Sequence, residues 1–382
     1  MKIAYVCPSF YPISETFVRD LANGLSGMTN LTIYTFKKNV LEVGGVDLKI
    51  ELIKVPLLGR LLGRLLGGVE KFLPSKYRFV ERYRLYVDSI VCKRKIINSK
   101  PDLIYAEFGT FGVKVLNVAE ALDVPLVVHF HGADASAALA SGFYVAQIKK
   151  LFKFPKSEII VPSNHLARRL KISCGIAKNF YVIPCFPKYT KPKNRGETGR
   201  GVRQVAAVGR MVEKKSPLTL LEAFSIVCKM DPDVVLNYVG DGPLFKQVKQ
   251  RVLELGIGQN VKLLGALQHE EVLEVIASSS VFVQHSVTAS NGDQEGLPVA
   301  ILEALKMNIP VVSTIHSGIP EVVFDGENGY LVREFDYVSM AEYIQLALLN
   351  PSNGWDFSKS DEMLKNDRLA RIYSIFEDLV GS

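Results

Sequence analysis

The sequence predicts an α/β protein built from two doubly wound domains, each a parallel sheet covered by helices on both faces. Three observations carry that expectation. Short apolar runs alternate with helical patterns along the whole chain, as consecutive strand–helix–strand units do. The alternation breaks once, around Pro184–Arg203, where Lys188–Arg200 is polar and rich in Gly, Pro and charge, and then restarts. At 382 residues the chain exceeds what one core usually serves, so two domains of roughly 180 residues are expected.

In the first half, strands are expected at Lys2–Cys7, Leu31–Phe36, Leu48–Val55, Leu103–Tyr105, Leu126–His129, Glu158–Val161 and Tyr181–Ile183. Helices are expected at Glu15–Leu25, Val69–Ile97, Gly112–Leu122 and His165–Ile172. In the second half the strands fall at Gln204–Val208, Val234–Val239, Val261–Leu264, Val281–Gln284, Val311–Ser313 and Tyr330–Val332. Its helices fall at Pro217–Met230, Pro243–Leu255, Glu270–Ser278, Pro298–Lys306 and Val338–Asn350, and Ser360–Val380 reads as one more amphipathic helix. The domains are therefore 1–187 and 188–360, with a terminal helix of about 361–382 packing back on the first. Two such domains facing each other put a ligand in the cleft at the carboxyl ends of their strands.

Composition removes several classes of function. The hydrophobic fraction of 48% and charged fraction of 22% are ordinary for a soluble globular protein. No run of about 18 apolar residues predicts a spanning helix, and the N-terminus, interrupted at Pro8, reads as a first strand rather than a secretory signal. Five scattered cysteines without C-x-x-C spacing argue against a zinc site or a disulfide framework and suit a reducing cytoplasm. The net charge of +7 is local: Lys54–Lys100 holds twelve Lys/Arg against three Asp/Glu, and the remainder is slightly acidic. Nucleic acid is not expected, because no basic–aromatic binding motif accompanies that patch.

The most informative stretch is Glu295-Gly-Leu-Pro-Val-Ala-Ile-Leu-Glu303. Pro298 suits the first position of a helix, and Gly296 keeps the backbone before it free of side-chain bulk. A buried helix starting there presents unpaired N–H groups and a partial positive charge, which suits phosphate. Glu295 and Glu303 cannot bind an anion. They can accept hydrogen bonds from hydroxyls attached to one, and a phosphate with polyols on both sides is a nucleotide sugar.

Other motifs fit around it. Gly209-Arg210-Met-Val-Glu-Lys214-Lys215-Ser216 follows the second half's first strand and brings cations to the sheet edge, Arg210 as a planar fork and a Lys as a point charge. His131-Gly132 follows the strand ending at His129, and of the two histidines His131 lies nearer the cleft. Ser14 is a candidate N-cap in the first strand-to-helix loop, with Glu15 beside it, facing either acceptor or phosphate. Gly240-Asp-Gly-Pro243 reads as a structural turn, while Ser317-Gly-Ile-Pro-Glu321 could approach the cleft.

Taken in order, these motifs resemble the GT-B glycosyltransferases of family 4, a retaining group with an E-x7-E motif, here Glu295 and Glu303. Ser14-Glu-Thr-Phe17, His129-Phe-His-Gly-Ala-Asp134 and Ser290-Asn-Gly-Asp-Gln-Glu295 resemble the branch acting in colanic-acid and other exopolysaccharide assembly. The resemblance implies two Rossmann-like domains facing a central cleft, with the donor held mainly by the second. It implies Arg210 and Lys215 (or Lys214) on the diphosphate, with backbone N–H groups from Gly296 and Leu297. Glu303 would hold the ribose, Glu295 the sugar hydroxyls, and His131 would stand near the reacting carbon. Cations and a helix start then stabilise the leaving diphosphate without a metal or other cofactor. Asp231-Pro-Asp233 is the one D-x-D spacing and suits a turn better than a metal site. Two departures stand out: Pro8–Ser14 has no Gly where many relatives have a glycine-rich loop, and Ser216 stands where Gly is usual.

The implied reaction moves a sugar from a UDP- or GDP-sugar to a growing, lipid-linked saccharide. Leu57–Gly68, with Arg60 and Arg64 four apart among leucines, leads into a basic helix carrying Lys71, Lys76, Arg78, Arg82 and Arg84. That pattern suits an anionic membrane surface, so the protein is expected in the cytoplasm, on the inner face of the membrane. A GT-B nucleotide-sugar epimerase and a non-catalytic sugar-nucleotide scaffold are the rival readings. Nothing in the sequence reports on oligomeric state.

Overall fold

The structure, a computed structural model, describes residues 1–10, 16–38, 48–57, 59, 61–62, 79–185, 203–350, 354–364 and 367–381. Ser14, Glu15, the stretch 188–200, and Arg60, Arg64, Lys71, Lys76 and Arg78 lie outside the described residues. The strands are β1 Lys2–Phe10, β2 Asn30–Lys38, β3 Lys49–Leu52, β4 Leu103–Glu107, β5 Leu126–His129, β6 Ser157–Val161 and β7 Tyr181–Val182. They continue with β8 Gln204–Val208, β9 Val235–Val239, β10 Val261–Gly265, β11 Val281–Gln284, β12 Val311–Thr314 and β13 Gly329–Val332. The described helices are α1 Thr16–Ser26, α2 Phe79–Ile96, α3 Gly109–Leu122, α4 Gly142–Lys153, α5 Asn164–Cys174 and α6 Pro217–Met230. After them come α7 Phe245–Glu254, α8 His269–Ala277, α9 Val299–Lys306, α10 Tyr337–Leu349, α11 Ser358–Leu364 and α12 Arg368–Val380.

The chain forms two compact units. The first contains Met1–Pro162, Leu166–Ile183 and Arg368–Ser382, and the second Ser163–His165 and Pro184–Asp367. In the first unit seven strands run in the order β3-β2-β1-β4-β5-β6-β7, with every pair parallel. In the second, six strands run β10-β9-β8-β11-β12-β13, again all parallel. Both β4 and β5 are buried along their whole length, as are β11 and β12. Helices on both faces therefore require continuous apolar runs rather than alternation, and the Leu-Val-Val and Val-Phe-Val segments are such runs. Strand order reverses between β1 and β4 in the first unit and between β8 and β11 in the second. Loops leaving the carboxyl ends of those strands diverge there, which opens a crevice for ligands.

Several elements differ from expectation. Helix α4 was not anticipated: it buries Ile148, Leu151 and Phe152, packs Tyr144 and Val145 beside them, and is capped by Ser141, which accepts from Tyr144 N at 3.2 Å. The expected single terminal helix is two, α11 and α12. Helix α12 packs in the first unit, with Ile372, Ile375 and Phe376 joining the core of Ile3, Tyr5, Leu21 and Leu25. Pro298 is not the first residue of α9 but the residue before it. Its ψ of 123° keeps the chain extended, and its carbonyl accepts from Ile301 and Leu302. Likewise α7 begins at Phe245 rather than Pro243, because Gly242 and Leu244 build a turn first.

Candidate active site

In the second unit the site is assembled from what leaves β8, β11 and β12. The β8 loop begins at Gly209, whose N–H donates to Val239 O at 3.0 Å. Gly240, at φ +143°, packs against that loop so closely that a Cβ would sit 2.0 Å from Gly209 O. The Gly240-Asp-Gly242 turn is thus a template for the Gly209–Met211 backbone. Arg210 projects from it, exposed, with no carboxylate partner among the described residues.

Next in the loop come the two lysines, and the structure gives them separate partners. Lys214 Nζ lies 3.2 Å from Asp293 Oδ1. Lys215 Nζ lies 3.3 Å from Glu295 Oε1 and donates to Gln284 Oε1 at 3.2 Å. Lys215 is therefore the lysine beside the first carboxylate of the E-x7-E pair. Burial pulls its ammonium below the usual range, Glu295 opposes that, and Lys214 adds to it. For Glu295, burial acts to raise the carboxyl, but the Lys215 and Lys214 ammoniums beside it outweigh that and hold it below the ordinary range. The pair is an ionised couple at the foot of α9.

The peptide leading into α9 is held from several sides. Gly296 O accepts from Gly318 N at 3.2 Å, Ser317 Oγ at 3.2 Å and Ser163 Oγ at 3.3 Å. A Cβ on Gly318 would stand 2.7 Å from Gly296 O, so only glycine permits this approach. Among the described residues, no acceptor meets the backbone N–H of Gly296, Leu297, Val299 or Ala300. Four open donors at a helix start beside a lysine are an arrangement that suits an anion. Glu303, buried on α9, lies 3.6 Å from His269 Nε2 at the start of α8. Glu321, from the Ser317–Glu321 segment, instead accepts from Asn164 N and His165 N, of the same unit, at 2.8 Å each.

The first unit brings a second constellation to the carboxyl ends of β4 and β5. His131 Nε2 lies 2.5 Å from Glu107 Oε2, and Glu107 is fully buried. Tyr5 OH donates to the other carboxylate oxygen at 2.6 Å, with Arg368 Nη2 3.9 Å from it. Burial acts to raise the Glu107 carboxyl, but His131, Arg368 and the Tyr5 hydrogen bond outweigh it and hold it lowered. Asp134 fixes the loop by accepting from His131 N and Gly132 N at 3.0 Å each and from Gly109 N at 2.7 Å. The His131 ring lies between Phe17 and Phe108, with ring centroids 4.8 and 4.6 Å away. His129 is fully buried; burial first, then His131 and Arg368, push its imidazole well below the usual range, so it stays neutral.

Sequence reasoning missed Glu107, Tyr5, Arg368, His316 and Glu334. A carboxylate closing the apolar run Leu103-Ile-Tyr-Ala-Glu107 at a strand's carboxyl end was a usable signal for the first. The others depend on contacts over long sequence separations that no local pattern reports.

Two doubly wound parallel sheets, with lysines, a helix start and Glu295 where the strand order of the second reverses, are the architecture of the GT-B class. The family described as Glycosyltransferase Family 4 matches residues 14–186, and Glycosyl transferases group 1 matches residues 190–368. The amylovoran biosynthesis glycosyltransferase AmsK of Erwinia amylovora is 30% identical over 283 residues, 72% of this chain and 68% of the relative. A Salmonella typhimurium protein named as a colanic acid biosynthesis glycosyltransferase, WcaL, is 28% identical over 364 residues, 89% of each chain. Among solved structures, Anabaena HepE in complex with UDP and glucose superposes with a TM-score of 0.74 at 19% identity, covering 100% of both chains. Sucrose-phosphate synthase of Thermosynechococcus elongatus gives 0.73 at 16%, covering 100% of this chain and 99% of that one. The chain belongs to the group 1/family 4 glycosyltransferases.

Proposed function

We propose that this glycosyltransferase moves a sugar, with retention of configuration, from a UDP- or GDP-sugar to a growing, lipid-linked saccharide in exopolysaccharide, capsule or other envelope glycan assembly. The observation that carries the reading is the Lys215–Glu295 pair, 3.3 Å apart beside the open start of α9. The names of the relatives, amylovoran and colanic acid biosynthesis, support the pathway, and the UDP and glucose bound to HepE support the donor class.

The roles follow from the chemistry of each group. An ammonium has three donors; Lys215 gives one to Gln284 and faces Glu295 as an ion pair, which leaves a donor for a phosphate oxygen. Arg210 supplies a bidentate fork, and Gly296 and Leu297 supply N–H groups. As the sugar–phosphate bond breaks, its electron pair passes to the diphosphate, where these fixed positive groups stabilise the growing charge without a metal ion. Glu303 accepts from the ribose hydroxyls and Glu295 from those of the transferred sugar. In the first unit, His131 is assigned to the reacting carbon, with Glu107 fixing its ring. Ser14 and Glu15 keep their assignment to the acceptor- or phosphate-facing loop.

The acceptor reading implies a surface for the membrane. No described helix is long and apolar enough to cross a bilayer. In the basic segment, Arg82, Arg84, Lys93, Arg94 and Lys95 are exposed together with Leu57, Leu61, Leu62 and Tyr86. Such a mixed surface suits peripheral binding on the inner face of the cytoplasmic membrane.

Thermal stabilisation by a panel of UDP-, GDP- and ADP-sugars tests the donor reading. One nucleotide family should raise the melting temperature, because a ligand that binds only the native state stabilises it. With that donor, Glu295→Ala should abolish transfer and leave binding of the bare diphosphate intact. Normal turnover in that variant would remove Glu295 from its role.

A further inference from the structure

The two ring nitrogens of His316, which is buried, do different work. Nδ1 lies 2.7 Å from Glu334 Oε1, and an ionised carboxylate can only accept, so Nδ1 carries the proton. Nε2 is then a lone pair, and it accepts the backbone N–H of Glu295 at 3.2 Å. A backbone N–H can only donate, so both contacts demand the same tautomer. Glu334 is itself fixed, accepting from Thr288 N at 2.9 Å and Thr288 Oγ1 at 3.4 Å. On the far side of the same residue, Ser317 Oγ donates to the Glu295 carbonyl at 2.5 Å. Consecutive residues thus hold the main chain before and after Glu295, and Ser317 does so from a strained φ of +49°.

We infer that His316 is a positioning residue for sugar transfer. Locked by Glu334 in its Nδ1–H tautomer, it fixes the Glu295 main chain so that the carboxylate stays beside Lys215 and faces the hydroxyls of the donor sugar. This rests on the assignment of Glu295 to that sugar. His316 acts through Glu295, in the way an outer hydrogen-bond partner orients a ligating side chain.

Two substitutions separate the two ring contacts. In His316→Asn the amide can still donate to Glu334 but cannot reach the Glu295 N–H. In His316→Gln the amide oxygen can reach that N–H while the Glu334 contact is lost. The full chain is titrated with UDP, GDP, UDP-glucose, UDP-galactose and GDP-mannose, and the readout is how much tighter a nucleotide sugar binds than its own diphosphate. His316→Asn should reduce that sugar-dependent gain about tenfold, about 1.4 kcal/mol, with the diphosphate affinity within about twofold of wild type. His316→Gln should recover part of the gain. The inference is overturned if His316→Asn keeps the full gain, or if sugar and diphosphate binding fall together with a lowered melting temperature. Glu295→Ala is run alongside. If it keeps the gain, the assignment of Glu295 fails; if it loses the gain while His316→Asn does not, only the role of His316 fails.

Discussion

Lys215 and Glu295 each hold a charge that the protein interior would discourage in isolation. Their attraction offsets desolvation only while both are present, so removing one leaves the other buried and uncompensated. Lys215→Met should therefore cost about 3–5 kcal/mol in denaturant unfolding, and Lys215→Met/Glu295→Gln should recover much of that loss. The pH dependence follows from the same pair. The Glu295 carboxyl is held below its ordinary value of 4.5, so its stabilisation is complete above that pH and lost as pH falls through the lower folded value. Replacing Glu295 with Gln should flatten the acid limb of the stability curve below about pH 4.5. An unchanged acid limb would show that the pair is not ionised in the native state. Glu107 is held the same way around His131, so Glu107→Gln should leave nucleotide binding intact while altering the pH profile of transfer.

The role proposed for helix α9 rests on what surrounds its first turn rather than on its length. The β8 loop lies against Gly240 so tightly that a methyl group there must displace Gly209 O or strain the backbone. Gly240→Ala should cost about 1–3 kcal/mol from the dihedral alone, and weaken nucleotide binding because Arg210 follows Gly209 directly. A Gly240→Ala protein with wild-type affinity would separate that turn from the site. The strands, and with them the doubly wound class, were legible because burial on both faces writes itself as short β-branched runs. The stretch Glu295–Glu303 was legible because a Gly, a Pro and an apolar run specify a helix start locally. By contrast, no helix was expected at α4, although Tyr144, Val145, Ile148, Leu151 and Phe152 pack on the core from one face at helical spacing, a pattern the sequence carried. His316, Glu334 and Arg368 were hidden because their meaning lies in partners 18 to 261 residues away, such as Glu334 from His316 and Glu107 from Arg368.

On the scale of the whole molecule, the uneven charge and the donor site make different demands. The excess of positive charge lies within Lys54–Lys100, and the remainder is slightly acidic, so any attraction to an anionic surface should be oriented. Vesicles containing anionic lipid should recover the protein at low salt, with each basic residue near the surface worth about 1 kcal/mol. Recovery should fall as salt is raised and fail with neutral vesicles; equal, salt-insensitive recovery from both would exclude an electrostatic membrane contact. The second unit is proposed to hold a nucleoside diphosphate between cations and a helix start. Calorimetric titration of the wild type and of Arg210→Ala/Lys215→Ala with UDP and GDP tests it most directly. The wild type should bind one of the two, and the double variant should bind it at least about a hundredfold more weakly, about 2.7 kcal/mol. Binding of neither diphosphate by the wild type, or equal binding by both proteins, would contradict the account.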